Sequence, residues 1–277
     1  MPGDALRYDV NLSILFTELP LLERPAAAAA AGFTAIELWW PFAEPDPPAR
    51  ELDALRQAIV DSGTQLVGLN FDAGNMPAGD RGLLSRPSQS HRFRTNIDVT
   101  VEFAASLGCT TLNALYGNTE PGLSAGTQRE LATENLVLAA KAADRVGATV
   151  VIEALNSIEN PRYPITSSRQ ALELVDYLRV VHQVPNVSFL ADFYHLARMG
   201  ESIQQLVERH TDRFGHVQIA DVPGRGQPGT GELDWDAVLT TLAARGYQGH
   251  VGLEYKPVGP SAESFDWISK VNLTENA

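Results

Sequence analysis

The chain has 277 residues, 44% hydrophobic and 20% charged, the balance of an ordinary globular protein. Its formal net charge of -13 argues against nucleic acid or an anionic membrane as partner, because both call for basic patches. One cysteine, Cys109, excludes an internal disulfide and, with no secretory signal in view, points to the cytoplasm.

In chain order, short β-rich runs alternate with longer amphipathic stretches. Strands are expected at residues 8–14, 34–40, 64–71, 109–115, 148–155, 186–192, 214–221 and 249–255. Several are apolar at consecutive positions, as parallel strands covered on both faces require. Helices are expected at residues 49–62, 89–107, 124–146, 167–181 and 235–245. The alanine-rich run at 25–33 is too short to span a membrane and reads as a helix packed through small side chains. Glycines in AAAGFT, DSGTQ, SLGCT, RVGAT and ARGYQG hand a helix over to the next strand. Cys109 reads as a buried, inert thiol. The first strand is followed by Leu15-Phe16-Thr17-Glu18, with none of the glycines of a phosphate-binding turn. Eight β–α alternations therefore predict one domain, residues 1–277, folded as a single (β/α)8 TIM barrel of the α/β class. Two long Gly- and Pro-rich stretches, 72–90 and 221–233, follow the third and seventh strands and are expected as lids or binding loops on the catalytic face.

Active sites of such barrels lie at the carboxyl ends of the strands. There, polar residues interrupt four successive apolar runs: Glu153 in VVIEALN, Asp192 in FLADFYH, Gln218 in HVQIAD and Glu254 in VGLEYKP. Taken singly, each is an ordinary cap or salt-bridge partner. Four in register offer oxygen donors suited to a hard divalent cation, Mg²⁺ or Mn²⁺, and a cation relieves the repulsion among the carboxylates. His195 reads either as a histidine at a helix start or as a donor to a substrate oxygen. Arg225, in a glycine-rich loop, reads as a carboxylate clamp, since the guanidinium fork pairs bidentately with carboxylates. Lys256 points the same way as Glu254, toward substrate or a rim ion pair. Glu37, Asn70 and Asn113 line the floor or bridge strands, and His216 and Asp221 flank Gln218. Trp39, Trp40 and Phe42 read as pocket wall or subunit contact.

NLSILF, GFTAIELWWP, VVIEALN, DFYHLARMGE, HVQIADVPGRGQPGTGELDW and GHVGLEYKP together resemble the hydroxypyruvate isomerase family, within the xylose-isomerase-like barrel superfamily. The resemblance runs from about residue 8 to residue 257, and its most specific piece is HVQIAD…RGQPGTGE. It implies metal ligands at Glu153, Asp192, Gln218 and Glu254, with acid–base roles for Glu153 and Glu254. It also implies substrate contacts at Glu159, His195 and Arg225, to which the strand pattern adds Lys256 and Asn70. The implied activity interconverts hydroxypyruvate and tartronate semialdehyde (2-hydroxy-3-oxopropanoate) by metal-assisted proton transfer through a cis-enediolate. A 2-oxo-tetronate isomerase or ketose 3-epimerase would use the same machinery. An apurinic-site endonuclease of the superfamily would call for several metal-binding histidines and a basic groove, and a non-catalytic sugar-binding barrel would have lost a ligand carboxylate. The partner is thus a small hydroxy-keto acid or sugar, and the resemblance implies a homo-oligomer.

Overall fold

The structure is a computed structural model that describes residues 6–272; the expected domain limits at residues 1 and 277 lie outside the described residues. Eight strands form in chain order: β1 (Arg7–Asn11), β2 (Ala35–Leu38), β3 (Gln65–Asn70), β4 (Thr111–Asn113), β5 (Thr149–Glu153), β6 (Val187–Asp192), β7 (Phe214–Ile219) and β8 (His250–Leu253). Each pairs in parallel with its sequence neighbour, and β1 pairs with β8, closing the barrel. The single TIM barrel expected from the alternation is therefore the fold observed. Nine helices surround it among the described residues: α1 (Arg24–Ala30), α2 (Ala49–Ser62), α3 (Ser90–Ser106), α4 (Ala125–Asp144), α5 (Ser168–Val181), α6 (Phe193–Arg198), α7 (Ile203–His210), α8 (Trp235–Ala244) and α9 (Trp267–Asn272).

Helix α2 occupies the span its periodicity predicts. For α4 and α5 the first residue of the predicted span is instead the cap: the Ser124 and Ser167 side chains accept from the N–H groups of Thr127 and Gln170. The strands are shorter than the apolar runs that signalled them. The first ends at Asn11, whose Oδ1 accepts from the Ser13 N–H and whose carbonyl accepts from Ile14 and Leu15, so the backbone turns there. Between β6 and β7 stand two short helices that were not among the predicted spans. α6 begins directly at its cap Asp192, so the last residue of β6 is also the first support of a helix. The five handover glycines, Gly32, Gly63, Gly108, Gly147 and Gly246, all have positive φ. Cys109 is buried, and burial pushes its thiol up to about 12, which makes it inert as a nucleophile. Among the described residues no helix is long and apolar enough to cross a membrane.

Both long loops are tied down rather than free. The carboxylate of Asp221 accepts from the backbone N–H groups of Val222, Gly229, Gly231 and Leu233, gathering 221–233 around one side chain. The 72–90 segment docks on the chain that follows β4: Gly117 N–H donates to the Arg81 carbonyl (3.0 Å) and Ser85 N–H to the Tyr116 carbonyl (2.9 Å). Gly82 bridges to Tyr116 with φ of +99°, and a β-carbon there would stand 2.0 Å from the Leu115 carbonyl oxygen. No other residue fits that approach. Gly82→Ala is expected to cost about 2 kcal/mol or more of folding stability through backbone strain and the clash. Chemical denaturation checks this, and an unchanged midpoint would show that the loop has other ways to dock.

Candidate active site

The interior of the barrel toward its carboxyl end is polar. In most barrels this space is filled by branched aliphatic side chains. Here Asn11, Glu37, Asn70, Asn113, Glu153, Asp192, His216, Gln218 and Glu254 are all buried. Glu37, from β2, is the hub of the floor. Its Oε1 accepts from Asn11 Nδ2 (2.9 Å) and Gln218 Nε2 (2.8 Å), and its Oε2 meets His216 Nε2 at 2.7 Å. Two inward-facing glycines make room for it: a β-carbon on Gly252 would lie 2.9 Å from Glu37 Oε1, and one on Gly68 3.1 Å from Oε2. Burial alone would lower the His216 pKa, but the charge and hydrogen bond of Glu37 raise it to about 9. Burial would likewise raise Glu37, and His216 with its amide donors lowers it instead. The pair is therefore imidazolium and carboxylate, a buried ion pair beneath the pocket.

Because Glu37 takes the amide nitrogen of Gln218, the carbonyl end of Gln218 is turned away from it. That Oε1 is buried and has no hydrogen-bond partner among the described residues. Asp192 pairs with Gln218 in register on the neighbouring strand. Glu153 ends β5, Asp192 ends β6 and Glu254 follows β8 directly. One oxygen each from Glu153 and Asp192 and a ring nitrogen of His195 lie within 4.8 Å of one another. Burial, Glu254 and Asp192 raise Glu153 well above the carboxylate range; burial and Glu254 push Asp192 up to about 8; burial raises Glu254 against the opposing pull of Arg225. Three buried carboxylates and an orphaned amide oxygen fit a hard divalent cation.

The expected substrate residues gather at the same place. A cavity of about 460 Å³ is lined by Glu153, Glu159, His195, Arg225, Glu254 and Lys256, with Asn70 at its base. His195 is held neutral, its pKa lowered well below 6.5 by burial and by Arg225 and Arg81. Its Nδ1 accepts the Asn156 backbone N–H (3.2 Å), so the ring proton sits on Nε2, which lies 3.6 Å from Asp192 Oδ2. His195 is thus a neutral donor. Glu159 accepts from Tyr194 Oη (2.8 Å) and Asn156 Nδ2 (3.0 Å); these bonds outweigh its burial and lower its pKa. Arg225 has left-handed backbone (φ 57°), lies over the Tyr194 ring, and directs Nη2 at Glu254 Oε2 (2.5 Å), with Asp192 Oδ2 at 3.8 Å. It is in the site, as the loop pattern predicts, but aimed at the protein's own carboxylates rather than at open pocket. Lys256 is exposed at the rim and makes no ion pair among the described residues.

A family model described as "Xylose isomerase-like TIM barrel" matches residues 25–271. The chain belongs to the xylose isomerase-like TIM-barrel family. It is 58% identical over 265 residues to a putative hydroxypyruvate isomerase of Streptomyces coelicolor, covering 95% of each chain. It is 32% identical over 263 residues to the hydroxypyruvate isomerase of Escherichia coli, covering 95% of this chain and 98% of that one. Among solved structures, an AP endonuclease, family 2, from Brucella melitensis superposes with a TM-score of 0.86 at 34% identity, covering 98% and 99% of the two chains. This member of the family is an isomerase-type enzyme in sequence and in fold.

Three members of the site escaped the sequence reading or were underweighted in it. Glu37 was one floor residue among several, and its hub role depends on a crossing from β2 to β7 that spacing does not reveal. Trp39 is pocket wall, and its indole N–H donates to Glu254 Oε1 at 2.7 Å. Arg81 lines the cavity from the 72–90 loop, with no motif to mark it.

Two outcomes follow from this geometry. Glu37→Gln cannot serve Gln218, Asn11 and His216 together as acceptor, so Mn²⁺ affinity measured by calorimetry is expected to fall about 10- to 100-fold, the usual effect of losing a partner that orients a ligand. Unchanged affinity would remove Glu37 from that role. Asp192 holds a proton in the folded state that the unfolded chain has already released. Stability of the metal-free protein is therefore fully present below the ordinary carboxylate range and is lost as pH rises through about 8. Mn²⁺ displaces that proton, so its affinity should rise over the same window and it should restore the melting temperature. A melting temperature independent of pH, with and without Mn²⁺, would contradict the raised carboxyl.

Proposed function

We propose that this chain is a hydroxypyruvate isomerase, interconverting hydroxypyruvate and tartronate semialdehyde. The observation that carries the reading is the set of buried carboxylates Glu153, Asp192 and Glu254, with an unpartnered Gln218 amide oxygen on the strand between those of Asp192 and Glu254, at a cavity whose walls carry three cations, Arg81, Arg225 and Lys256. The 58% identity to a putative hydroxypyruvate isomerase supports the same substrate.

Glu153, Asp192, Gln218 and Glu254 would hold Mg²⁺ or Mn²⁺, which supplies Lewis acidity at the substrate's oxygens. The chain's own residues do the rest. The wall cations balance the substrate carboxylate against the acidic floor. One glutamate takes a proton from the hydroxymethyl carbon, and an enediolate forms. A proton returns to the former ketone carbon, while the hydroxyl proton passes to the former ketone oxygen. Glu153 and Glu254 enter from strands three apart around the barrel, so they approach a bound ligand from different sides. The His195 Nε2–H donates to a substrate oxygen, and with its Nδ1 lone pair already taken by the Asn156 N–H and its pKa lowered by burial the ring is a poor base beside the glutamates. Trp39 and Arg225 hold Glu254 in place from two directions. Glu159 orients Tyr194, on which Arg225 stacks.

A DNA-directed nuclease does not suit this site: a net charge of -13 opposes a DNA backbone, and the proposed ligand set contains no histidine. A cytoplasmic location accords with the lone buried thiol, and a homo-oligomer with the family reading.

Chelation should abolish turnover of hydroxypyruvate, and Mg²⁺ or Mn²⁺ should restore it. Beside it, four-carbon 2-oxo acids and ketoses should turn over more slowly; a preference for a four-carbon acid would transfer the substrate to the tetronate series. Glu254→Gln is expected to lower kcat by about two to four decades, the weight of acid–base catalysis. Near-normal turnover in that variant would overturn the assignment of Glu254.

A further inference from the structure

The cavity offers three cations to an anionic substrate, and the structure treats them differently. Arg225 is engaged: its Nη2 meets Glu254 at 2.5 Å, its Nε donates to the Glu254 carbonyl at 3.3 Å, and Asp192 stands at 3.8 Å. Lys256 is an exposed ammonium on a flexible stem at the rim, and only its backbone is fixed, to the Arg225 carbonyl. Arg81 is neither engaged by a carboxylate nor loose. Its Nε donates to Asn160 Oδ1 (2.6 Å), and its Nη1 donates to the carbonyls of Asp80 (2.6 Å) and Met76 (3.0 Å). All three acceptors are neutral, and no carboxylate lies within ion-pair distance of it among the described residues. Nη2 makes no hydrogen bond among the described residues, and the side chain lines the cavity.

This is an expensive arrangement to leave without purpose. A half-buried guanidinium ordinarily recruits a carboxylate. Two of the three nitrogens of Arg81 are used to aim it, and the charge is left uncompensated by contact. The backbone that carries it is clamped too, since the Arg81 carbonyl accepts from Gly117 N–H and the neighbouring Gly82 docks against Leu115. Its charge is felt across the cavity: it repels a proton from His195, is opposed by Arg225, and is attracted by Glu159, by its neighbour Asp80 and by Glu153. Leu115, Leu155 and Pro77 line the cavity beside it, and apolar surroundings strengthen a charge pair formed there.

We propose that Arg81 is the anion-binding residue of this cavity, receiving the carboxylate of a small 2-oxo acid on its free Nη2, while Arg225 serves the reacting carboxylates of the protein. The proposal rests on the reading of this cavity as an isomerase site for such acids. It replaces the clamp role that the loop sequence gave to Arg225. It also explains how a site with four carboxylates, Glu153, Glu159, Asp192 and Glu254, attracts an anion: the substrate's charged end is held by a cation on the loop after β3, and its hydroxy-ketone end is left to the glutamates.

The test compares glycerate, the unreactive reduced form of hydroxypyruvate, with glycerol, which has the same skeleton without the carboxylate. Binding of each to the Mn²⁺-loaded protein is read by calorimetry, and Mn²⁺ affinity is measured alongside as a check on the floor. In Arg81→Gln, glycerate affinity is expected to fall about 10- to 100-fold, the equivalent of one charge-assisted hydrogen bond. Glycerol binding and Mn²⁺ affinity should not change. The KM for hydroxypyruvate should rise with little change in kcat, and the preference for hydroxypyruvate over dihydroxyacetone should shrink. Arg81→Lys keeps the charge without the fork; it should lose less and melts as the parent does, so the proposal stays testable if the glutamine variant fails to fold. Glycerate affinity unchanged in both variants, or no glycerate binding to the parent protein, overturns the proposal. The two readings separate cleanly: Arg81-dependent glycerate binding without hydroxypyruvate turnover keeps the anion site and removes the reaction, whereas turnover with Arg81-independent glycerate binding removes the anion site and keeps the reaction.

Discussion

Three carboxylates buried side by side do not all keep their charge unless an opposite charge joins them, and the arrangement at the mouth of this barrel follows from that constraint. Glu153, Asp192 and Glu254 enter from three strands, and each raises the proton affinity of another. Arg225 supplies part of the counter-charge from the loop after β7. Below, a buried imidazolium–carboxylate pair fixes the floor and takes the amide nitrogen of Gln218, leaving its oxygen without a partner among the described residues. The barrel interior gives up aliphatic packing to make this possible, and inward glycines at positions 68 and 252 provide the space.

The loops divide the remaining work. The segment after β7 is gathered on Asp221 and brings Arg225 to the buried carboxylates Asp192 and Glu254. The segment after β3 is docked by Gly82 and brings Arg81 into the cavity wall. The chain after β5 contributes Asn156, which fixes the tautomer of His195 and supports Glu159, and Asn160, which aims Arg81. Side chains positioned in this way need little reorganisation when a ligand arrives, which is the condition for efficient electrostatic catalysis. Both glycine-rich stretches look like lids in sequence, yet the same glycines allow tight docking, and backbone hydrogen bonds decide between the two.

The fold was legible because helix and strand signals alternate eight times and the glycines between them mark the handovers. The four proposed ligands were legible because a polar residue ending an apolar strand breaks a pattern, as Asp192 does in FLADFYH. Glu37 breaks the pattern of AIEL in the same way, but its importance comes from the strands it faces across the barrel, which lie far away in sequence. Arg81 sits in a loop without periodicity, and only the docking of that loop makes it part of the cavity. Arg225 lines the cavity as its loop suggests, but its contacts with Glu254 and Asp192 were not legible, because sequence gives a charge and its loop but not the carboxylates it will meet.

Proton transfer through the glutamates is tested most directly by converting hydroxypyruvate in D₂O and locating the label in the product by NMR at early times. Solvent deuterium at the carbon that was the ketone is the result expected when a glutamate removes one proton and a proton in exchange with solvent returns. Product formed at the same rate with no solvent deuterium at that carbon would mean that hydrogen moves directly between the two carbons, and would contradict the acid–base role given to Glu153 and Glu254.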